Sequence, residues 1–205
     1  TGAHLHQCHC STYGSVEIVK QAKKQDIHVT AEVCPHHFTL TSKDVDASDA
    51  NYKMNPPLRT KKDVEALKRG LRDDIMDVIA TDHAPHSEEE KRRSFTAAPF
   101  GIVGLETSFA LGYTELVKRG ILSLSELVAK MSTNPAKVLG IAKGTLKPGT
   151  AADVVVADID TEYAIDSSKF LSKGTNTPFD GKLVYGKVLN TFVDGKLVYS
   201  EERNG

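Results

Sequence analysis

The chain has 205 residues, 26% of them charged, with a formal net charge of −1, so it carries no charge excess for binding nucleic acid or an anionic membrane. No apolar run approaches the ~20 residues of a membrane-spanning helix, and the polar stretch 1–6 does not resemble a signal peptide. Three cysteines do not indicate a disulfide framework, which favours a cytoplasmic globular protein.

Strand-like and helix-like segments alternate over the first eighty or so positions, about the length of two parallel strand–helix units. The strand candidates are 3–10, 27–34 and 76–81. Two helices are predicted between them, one capped by Ser15 with Val16, Val19 and Ala22 on its apolar face, and one capped by Thr60 with Val64, Leu67 and Leu71. This alternation predicts a parallel sheet covered by helices.

Helical periodicity ends near Gly140, and past Gly144 the pattern changes to the two-residue period of strands. The residues expected to face inward are Leu105, Phe109, Gly112 and Leu116 in one helix, and Leu124, Leu127, Val128 and Met131 in the next. Asn134 is expected to cap a last short helix. The later strand candidates are 152–157, 184–188, 190–193 and 196–199, the last two joined by an Asp194–Gly195 hairpin turn.

Residues able to bind a metal follow each of the three parallel-strand candidates. They are Cys8, His9 and Cys10 after the first, Glu32, Cys34, His36 and His37 at the second, and Asp82, His83 and His86 after the third. Parallel strands bring such ends to one face of the sheet. Because imidazole nitrogen and carboxylate oxygen suit zinc and similar divalent ions, the pattern predicts a centre for one or two metal ions.

Simpler interpretations of the same residues stay open. Asp82 can be an N-cap in a polar loop, and Asn55, in a proline-stiffened segment, can be a turn residue or an amide presented to a substrate. The positions expected to be ordinary polar or core residues are His4, His6, His28, Cys10 and Cys34. A structural zinc is a further alternative, although Cys-x-Cys is not the usual spacing; its ligands would be Cys8, Cys10, Cys34 and His36.

Together these motifs resemble the dihydroorotases of the amidohydrolase superfamily, of the class I type. The segments that carry the resemblance are 8–12, 30–37, 55–59, 82–86, 144–153, 176–179, Gly186 and Thr191. The Asp82–His86 run also resembles hydantoinases and allantoinases, whereas the Asn-Pro-Pro-Leu-Arg run at 55–59 favours dihydroorotases.

The resemblance implies an α/β fold, the C-terminal part of a (β/α)8 TIM barrel plus a small β-sandwich domain. Residues 1–144 would form barrel strands 6–8 and the following helices, and residues 145–205 part of the sandwich. The family's strand-one His-x-His, strand-four bridging carboxylate, strand-five histidine and His-x-Arg are missing, and His4-x-His6 lies on the wrong strand. We therefore expect the C-terminal half of a longer chain, inactive by itself.

The resemblance also implies an activity, the reversible zinc-dependent hydrolysis of dihydroorotate to N-carbamoyl-aspartate in pyrimidine biosynthesis. Two Zn²⁺ ions per complete site would share a hydroxide, with His9 binding one ion and Asp82 binding the other and acting as the acid and base. The substrate would be held by Asn55, His86 and the backbone at Phe100 and Gly101. Residues that would orient ligands or hold a third ion are Cys8, Glu32 and His37.

The partners implied are the small-molecule substrate and a second copy of the chain in a homodimer, with aspartate carbamoyltransferase as a candidate associate. Two other functions remain open. One is a hydantoinase-type or allantoinase-type cyclic amidohydrolase, and the other is a non-catalytic dihydroorotase-like scaffold subunit.

Overall fold

The computed structural model describes residues 2–204. Its first part contains three strands and seven helices in the order β1 (Leu5–Gln7), α1 (Tyr13–Lys24), β2 (Val29–Val33), α2 (Pro35–Thr39), α3 (Lys61–Arg72), β3 (Val78–Ile79), α4 (Glu88–Lys91), α5 (Ser108–Gly112), α6 (Leu124–Val128) and α7 (Asn134–Leu139). Two 3₁₀ turns span Ala50–Tyr52 and Ser167–Lys169, and π-helical turns at Tyr113–Val117 and Ala129–Thr133 extend α5 and α6.

The three strands of the first part form a parallel sheet in the order β1-β2-β3, which confirms the predicted parallel pairing. Leu5 lies opposite Val29, and Glu32 lies opposite Val78. The strands are shorter than predicted: β1 and β3 end before Cys8 and Asp82, whereas Glu32 lies on β2 itself. β1 and β3 are the edges of this sheet, so the barrel is not closed within residues 2–204.

Helices α1 and α3 follow the predicted apolar patterns, with Val16, Val19, Leu67 and Leu71 all buried. The prediction that Ser15 caps α1 was wrong. Thr12 has the extended backbone of an N-cap, and its side chain accepts the Ser15 N–H at 3.0 Å. Ser15 is the third residue of the helix, from which its hydroxyl completes a capping box.

The predicted inner faces of the later helices were partly wrong. Leu105 is 60% exposed because α5 begins only at Ser108, and Leu124 and Val128 also lie on the surface. The π-helical turns shift the facing of side chains from the regular period. The prediction that Asn134 is an N-cap was wrong: it is the first residue of α7, which continues without a break from the preceding π-helical turn, and its amide donates to Asp77 O at 2.9 Å.

The last part of the chain is built from strands, as its period predicts. They are β4 (Val154–Asp158), β5 (Tyr163–Ala164), β6 (Leu183–Val184), β7 (Lys187–Val193) and β8 (Lys196–Ser200), followed by a short helix, α8 (Glu201–Asn204). β4, β7 and β8 form an antiparallel sheet, and the Asp194–Gly195 hairpin is confirmed, both residues having positive φ. A continuous strand at 184–188 was wrong, because Gly186, with φ +91°, separates β6 from β7.

The C-terminal segment packs into the α/β part as well as forming its own sheet. One buried cluster joins Met54, Ile102 and Leu111 to Phe179 and Val184. The loops that follow β3 therefore pack against residues that lie far along the chain. Among the described residues, no helix combines the length and apolar character needed to cross a bilayer.

Candidate metal centre

The centre is built on two residues that follow edge strands of the parallel sheet. His9 comes just after β1 and Asp82 just after β3, and both have φ +50°. Positive φ is uncommon outside glycine and is held in place only by surrounding structure. These two turns aim the side chains at each other across the sheet, with His9 Nε2 3.7 Å from Asp82 Oδ1.

This separation is short enough for ligands of one shared ion or of two neighbouring ions. Nitrogen and oxygen ligands at ~2.0–2.2 Å from a zinc-like ion lie at most ~4.4 Å apart. Cys34 lies in the same cluster, and its sulfur is 3.5 Å from His9 Nδ1. The donor set of His9, Cys34 and Asp82 therefore suits a borderline divalent metal, and the interpretation of Asp82 as only an N-cap does not explain it.

Glu32, on β2 between the two edge strands, contacts His9 at two atoms, the ring Nδ1 and the backbone N–H. Its Oε1 lies 2.7 Å from His9 Nδ1 and also accepts the His9 backbone N–H at 3.3 Å. A carboxylate only accepts, so the proton belongs on Nδ1 and the lone pair on Nε2, which faces Asp82. His6, expected to be an ordinary polar residue, donates from Nε2 to Glu32 Oε2 at 3.0 Å. The only sequence signal for the contact between His6 and Glu32 was that they lie on strands predicted to be neighbours.

Cys8 and Glu32, predicted as a pair that orients ligands or holds a third ion, do lie together. Each offers a donor atom within 4.8 Å of the other, and the third member of their cluster is His6. Burial and the Glu32 carboxylate raise the pKa of the Cys8 thiol. The ligand-orienting or third-ion role of the pair stays a prediction.

His37, named with that pair, points elsewhere. Its Nε2 donates to Pro56 O at 2.7 Å, which ties the Asn55–Pro56 turn to the end of β2. His36 and His37 are both buried, and burial lowers the pKa of His37 to about 4. The structural zinc of Cys8, Cys10, Cys34 and His36 was wrong: within residues 2–204, Cys34 and His36 cluster with His37, Cys8 clusters with His6 and Glu32, and Cys10 joins neither.

The Asp82 carboxyl has the chemistry of a base. Burial raises its pKa, His9 opposes this, and the nearby Glu32 carboxylate raises the pKa further. A carboxyl destabilised in its ionised form accepts a proton more readily than one in open water. The Asp82 carboxyl can therefore take up and return a proton at the carboxyl end of the parallel strands.

The loops beyond β3 bring His86, Phe100 and Gly101 together. His86 Nε2 donates to Phe100 O at 2.9 Å, and the Gly101 N–H donates to Lys53 O at 2.9 Å. Gly101 has φ +117°, and a Cβ there would lie 2.4 Å from Ala84 Cβ. These backbone groups already have partners within the chain, and their predicted contact with substrate stays a prediction.

Asn55 is exposed on a turn that is anchored on both sides. Lys53, just before it, is buried and donates from Nζ to Ala98 O at 2.6 Å, and Pro56 accepts from His37. The turn is thus fixed while the Asn55 amide remains open to solvent. His83, noted as metal-capable, instead accepts the backbone N–H groups of Gly104 and Leu105 at Nδ1, at 3.1 and 3.3 Å.

Comparisons with known proteins identify the family of this chain. The sequence profile of the amidohydrolase family matches residues 1–198, so the chain belongs to the amidohydrolase family. Within it, the chain is similar to dihydroorotases, with 53% identity over 186 residues to that of Pelotomaculum thermopropionicum and 56% over 181 residues to that of Anoxybacillus flavithermus. These alignments cover 91% and 88% of this chain but only 44% and 42% of the relatives.

Solved structures show the same fold and the same partial coverage. The L-hydantoinase (dihydropyrimidinase) from Arthrobacter aurescens superposes with a TM-score of 0.91 at 33% identity, over 98% of this chain and 46% of that one. The dihydropyrimidinase from Brevibacillus agri NCHU1002 gives 0.92 at 29% identity, with the same coverage. The predicted resemblance is confirmed, and the chain spans less than half the length of the relatives it matches.

Proposed function

We propose that this chain supplies part of the active site of a dihydroorotase, which hydrolyses the cyclic amide of dihydroorotate to N-carbamoyl-aspartate and catalyses the reverse reaction. The observation that carries the proposal is the 3.7 Å approach of His9 Nε2 to Asp82 Oδ1, with Glu32 holding the other His9 nitrogen at 2.7 Å. More than half of the aligned positions are identical to named dihydroorotases, which supports that substrate over other cyclic amides.

The barrel assignment is part of the proposal. The parallel order β1-β2-β3, with free edges on both outer strands, suits strands 6–8 of a (β/α)8 barrel whose other strands lie outside residues 1–205. We assign residues 1–144 to the barrel and residues 145–205 to the sandwich. Phe179 and Val184 share one buried cluster with Met54, which supports packing of the second part against the first.

Zinc is the proposed metal, because one imidazole and one carboxylate face each other here and a thiol lies beside them. His9 Nε2 and Asp82 would each hold an ion, and the other ligands would come from outside this chain. Bound zinc would supply a water of lowered pKa and a polarised amide carbonyl. Glu32 keeps His9 in the tautomer that ligation requires.

Asp82 carries the proton in the proposed reaction. Hydrolysis of an amide needs a base that takes a proton from the attacking water and an acid that protonates the leaving nitrogen. One carboxyl performs both tasks in turn if it lies between the two atoms. Asn55, on its anchored and exposed turn, and His86 are proposed to hold the substrate. The homodimer and the association with aspartate carbamoyltransferase stay predictions.

A hydantoinase-type activity is the second candidate, favoured by the high TM-scores with the hydantoinase and dihydropyrimidinase structures. Their identities of 33% and 29% lie well below those to the dihydroorotases. Fold similarity of this order is shared by enzymes with different substrates, so the sequence identity decides our choice.

The test is a substrate panel with the full-length protein loaded with zinc. We expect turnover of dihydroorotate and little turnover of hydantoin or allantoin, and Asp82→Asn should lower kcat by about 10²–10⁴-fold while the melting temperature stays the same. Asp46→Asn, at an exposed position, is the matched control. A preference for hydantoin would overturn the substrate, full activity of Asp82→Asn would overturn the mechanism, and no turnover at all would favour the scaffold function.

A further inference from the structure

A second group of metal-binding side chains lies in the interior at the end of β2. Cys34, His36 and His37 are 0%, 2% and 2% exposed, and each offers a donor atom within 4.8 Å of the other two. The local backbone produces this arrangement. Cys34 has the extended conformation of an N-cap, and Pro35 begins α2, whose first turn brings both imidazoles back toward the sulfur.

Two ring nitrogens of this group have no hydrogen-bond partner among the described residues. They are His36 Nε2 and His37 Nδ1. The His37 tautomer follows from its other contact: Nε2 donates to Pro56 O at 2.7 Å, so Nδ1 carries the lone pair. Buried polar atoms without partners are rare and costly, so two in one cluster point to a missing ligand.

We propose that Cys34, His36 and His37 form a buried site for a thiophilic d¹⁰ cation of the Zn²⁺ and Cd²⁺ class, separate from the hydrolytic centre. One thiol and two imidazoles, with no oxygen donor in the group, suit such ions and not Mg²⁺ or Ca²⁺. This binding does not depend on the proposed hydrolase activity.

The two histidines are already in the protonation state that metal binding needs, whereas the Cys34 thiol has to lose its proton. Burial lowers the pKa of both histidines, that of His36 well below its ordinary value, so both rings are neutral as ligands must be. Burial, Asp82 and Glu32 raise the pKa of Cys34, so the sulfur is a thiol before the ion enters. The S–H proton leaves to solvent as the metal–sulfur bond forms.

Cys34 is the point of contact between the two metal-binding groups. Its sulfur lies 3.5 Å from His9 Nδ1, and it also clusters with His9 and Asp82. The sulfur can therefore serve the hydrolytic centre instead of the buried site. The experiment has to separate these two assignments.

The test is a Cd²⁺ titration of the full-length protein with its hydrolytic metal bound. Thiolate-to-cadmium charge-transfer absorption reports sulfur ligation, and equilibrium dialysis counts the ions. We expect one Cd²⁺ per chain with a charge-transfer band. Cys34→Ser should abolish the band, and Cys10→Ser, also a buried cysteine, should keep it.

The histidines distinguish the assignments. His36→Asn and His37→Asn should each weaken Cd²⁺ binding by at least about tenfold, because loss of a group that only orients a ligand already costs about 10–100-fold. His9→Asn should leave the affinity unchanged. The proposal is overturned if no band forms, if the band is lost in Cys8→Ser, or if it depends on His9 and on neither His36 nor His37. Melting curves identify any variant that misfolds. If one histidine variant misfolds, the band and the affinity are compared in the isosteric Cys34→Ser and in the other histidine variant, and these two results decide between the assignments.

Discussion

Oδ1 of Asn176 accepts the backbone N–H of His86 at 2.9 Å, across 90 positions of the sequence. The amide nitrogen of Asn176 donates to Ala84 O and Gly101 O, each at 3.1 Å. This side chain is 5% exposed and belongs to the C-terminal segment. One residue thus joins both loops beyond β3, those that carry His86 and Gly101.

Asn176→Ala is expected to weaken both the fold and the site. It removes the partner of the part-buried His86 N–H and Ala84 carbonyl and of the buried Gly101 carbonyl, so the free energy of unfolding should fall by about 1–3 kcal/mol. KM should rise more than kcat falls, because the loops proposed to hold the substrate loosen while Asp82 remains. Urea unfolding and steady-state kinetics measure these effects. Asn190→Ala, on β7, is the control, and equal losses in the two variants would contradict the idea.

Glu32→Gln should reduce metal affinity more than it reduces stability. The carboxylate whose Oε1 lies 2.7 Å from His9 Nδ1 is replaced by an amide of the same size. Loss of such an orienting partner typically costs about 10–100-fold in metal affinity. Competition with a chelator measures this in the full-length protein. Glu65→Gln, on the exposed face of α3, should change nothing, and an unaltered metal affinity in Glu32→Gln would disprove the orienting role.

Gly101→Ala and Gly149→Ala form a matched pair of substitutions. Both glycines have positive φ, +117° and +87°, so each alanine carries a backbone cost of about 1–3 kcal/mol. Only at Gly101 does the new methyl collide, at 2.4 Å from Ala84 Cβ, whereas Gly149 faces open space. Gly101→Ala should therefore cost a further ~1–3 kcal/mol and impair turnover. Thermal unfolding of both variants measures the difference, and equal decreases of the melting temperature would refute the close packing at Gly101.

Asp63 makes stability depend on pH. Its Oδ1 accepts the Tyr13 N–H at 2.8 Å and its Oδ2 accepts the Thr60 N–H at 3.1 Å, which joins the starts of α1 and α3. Burial tends to raise its pKa, but the hydrogen bonds from Thr60 and Tyr13 outweigh this, and the pKa lies below its ordinary value. The folded state therefore binds fewer protons than the unfolded state near that value.

Asp63→Ala should consequently lower the free energy of unfolding by about 0.5–2 kcal/mol above pH ~4, the ordinary range of an aspartate. The stabilisation is fully present above the unfolded pKa and is lost as the pH falls through the folded pKa. Wild type and variant should converge in acid. Melting temperatures across a pH series measure this, and a difference that does not shrink on acidification would contradict it.

Local patterns were sufficient for the elements whose signals lie within a few residues. The Thr60 cap, the buried Leu67 and Leu71, and the Asp194–Gly195 turn were predicted correctly. Helix facing failed at Leu105 because α5 begins only at Ser108, and at Val128, which directly precedes a π-helical turn that has no signal in the sequence. Gly186 interrupted a strand that the alternation of residues had predicted.

The sequence by itself determined the parallel strands and the kinds of ligand at their ends, since strand periodicity and side-chain chemistry depend only on residues within a short segment. Tertiary structure alone decided the partners: Glu32 contacts His9, His37 donates to Pro56, and Asn176 accepts from His86. The physical reason is that a hydrogen bond depends on a few tenths of an ångström between atoms from distant segments. That separation is set only when the whole chain packs.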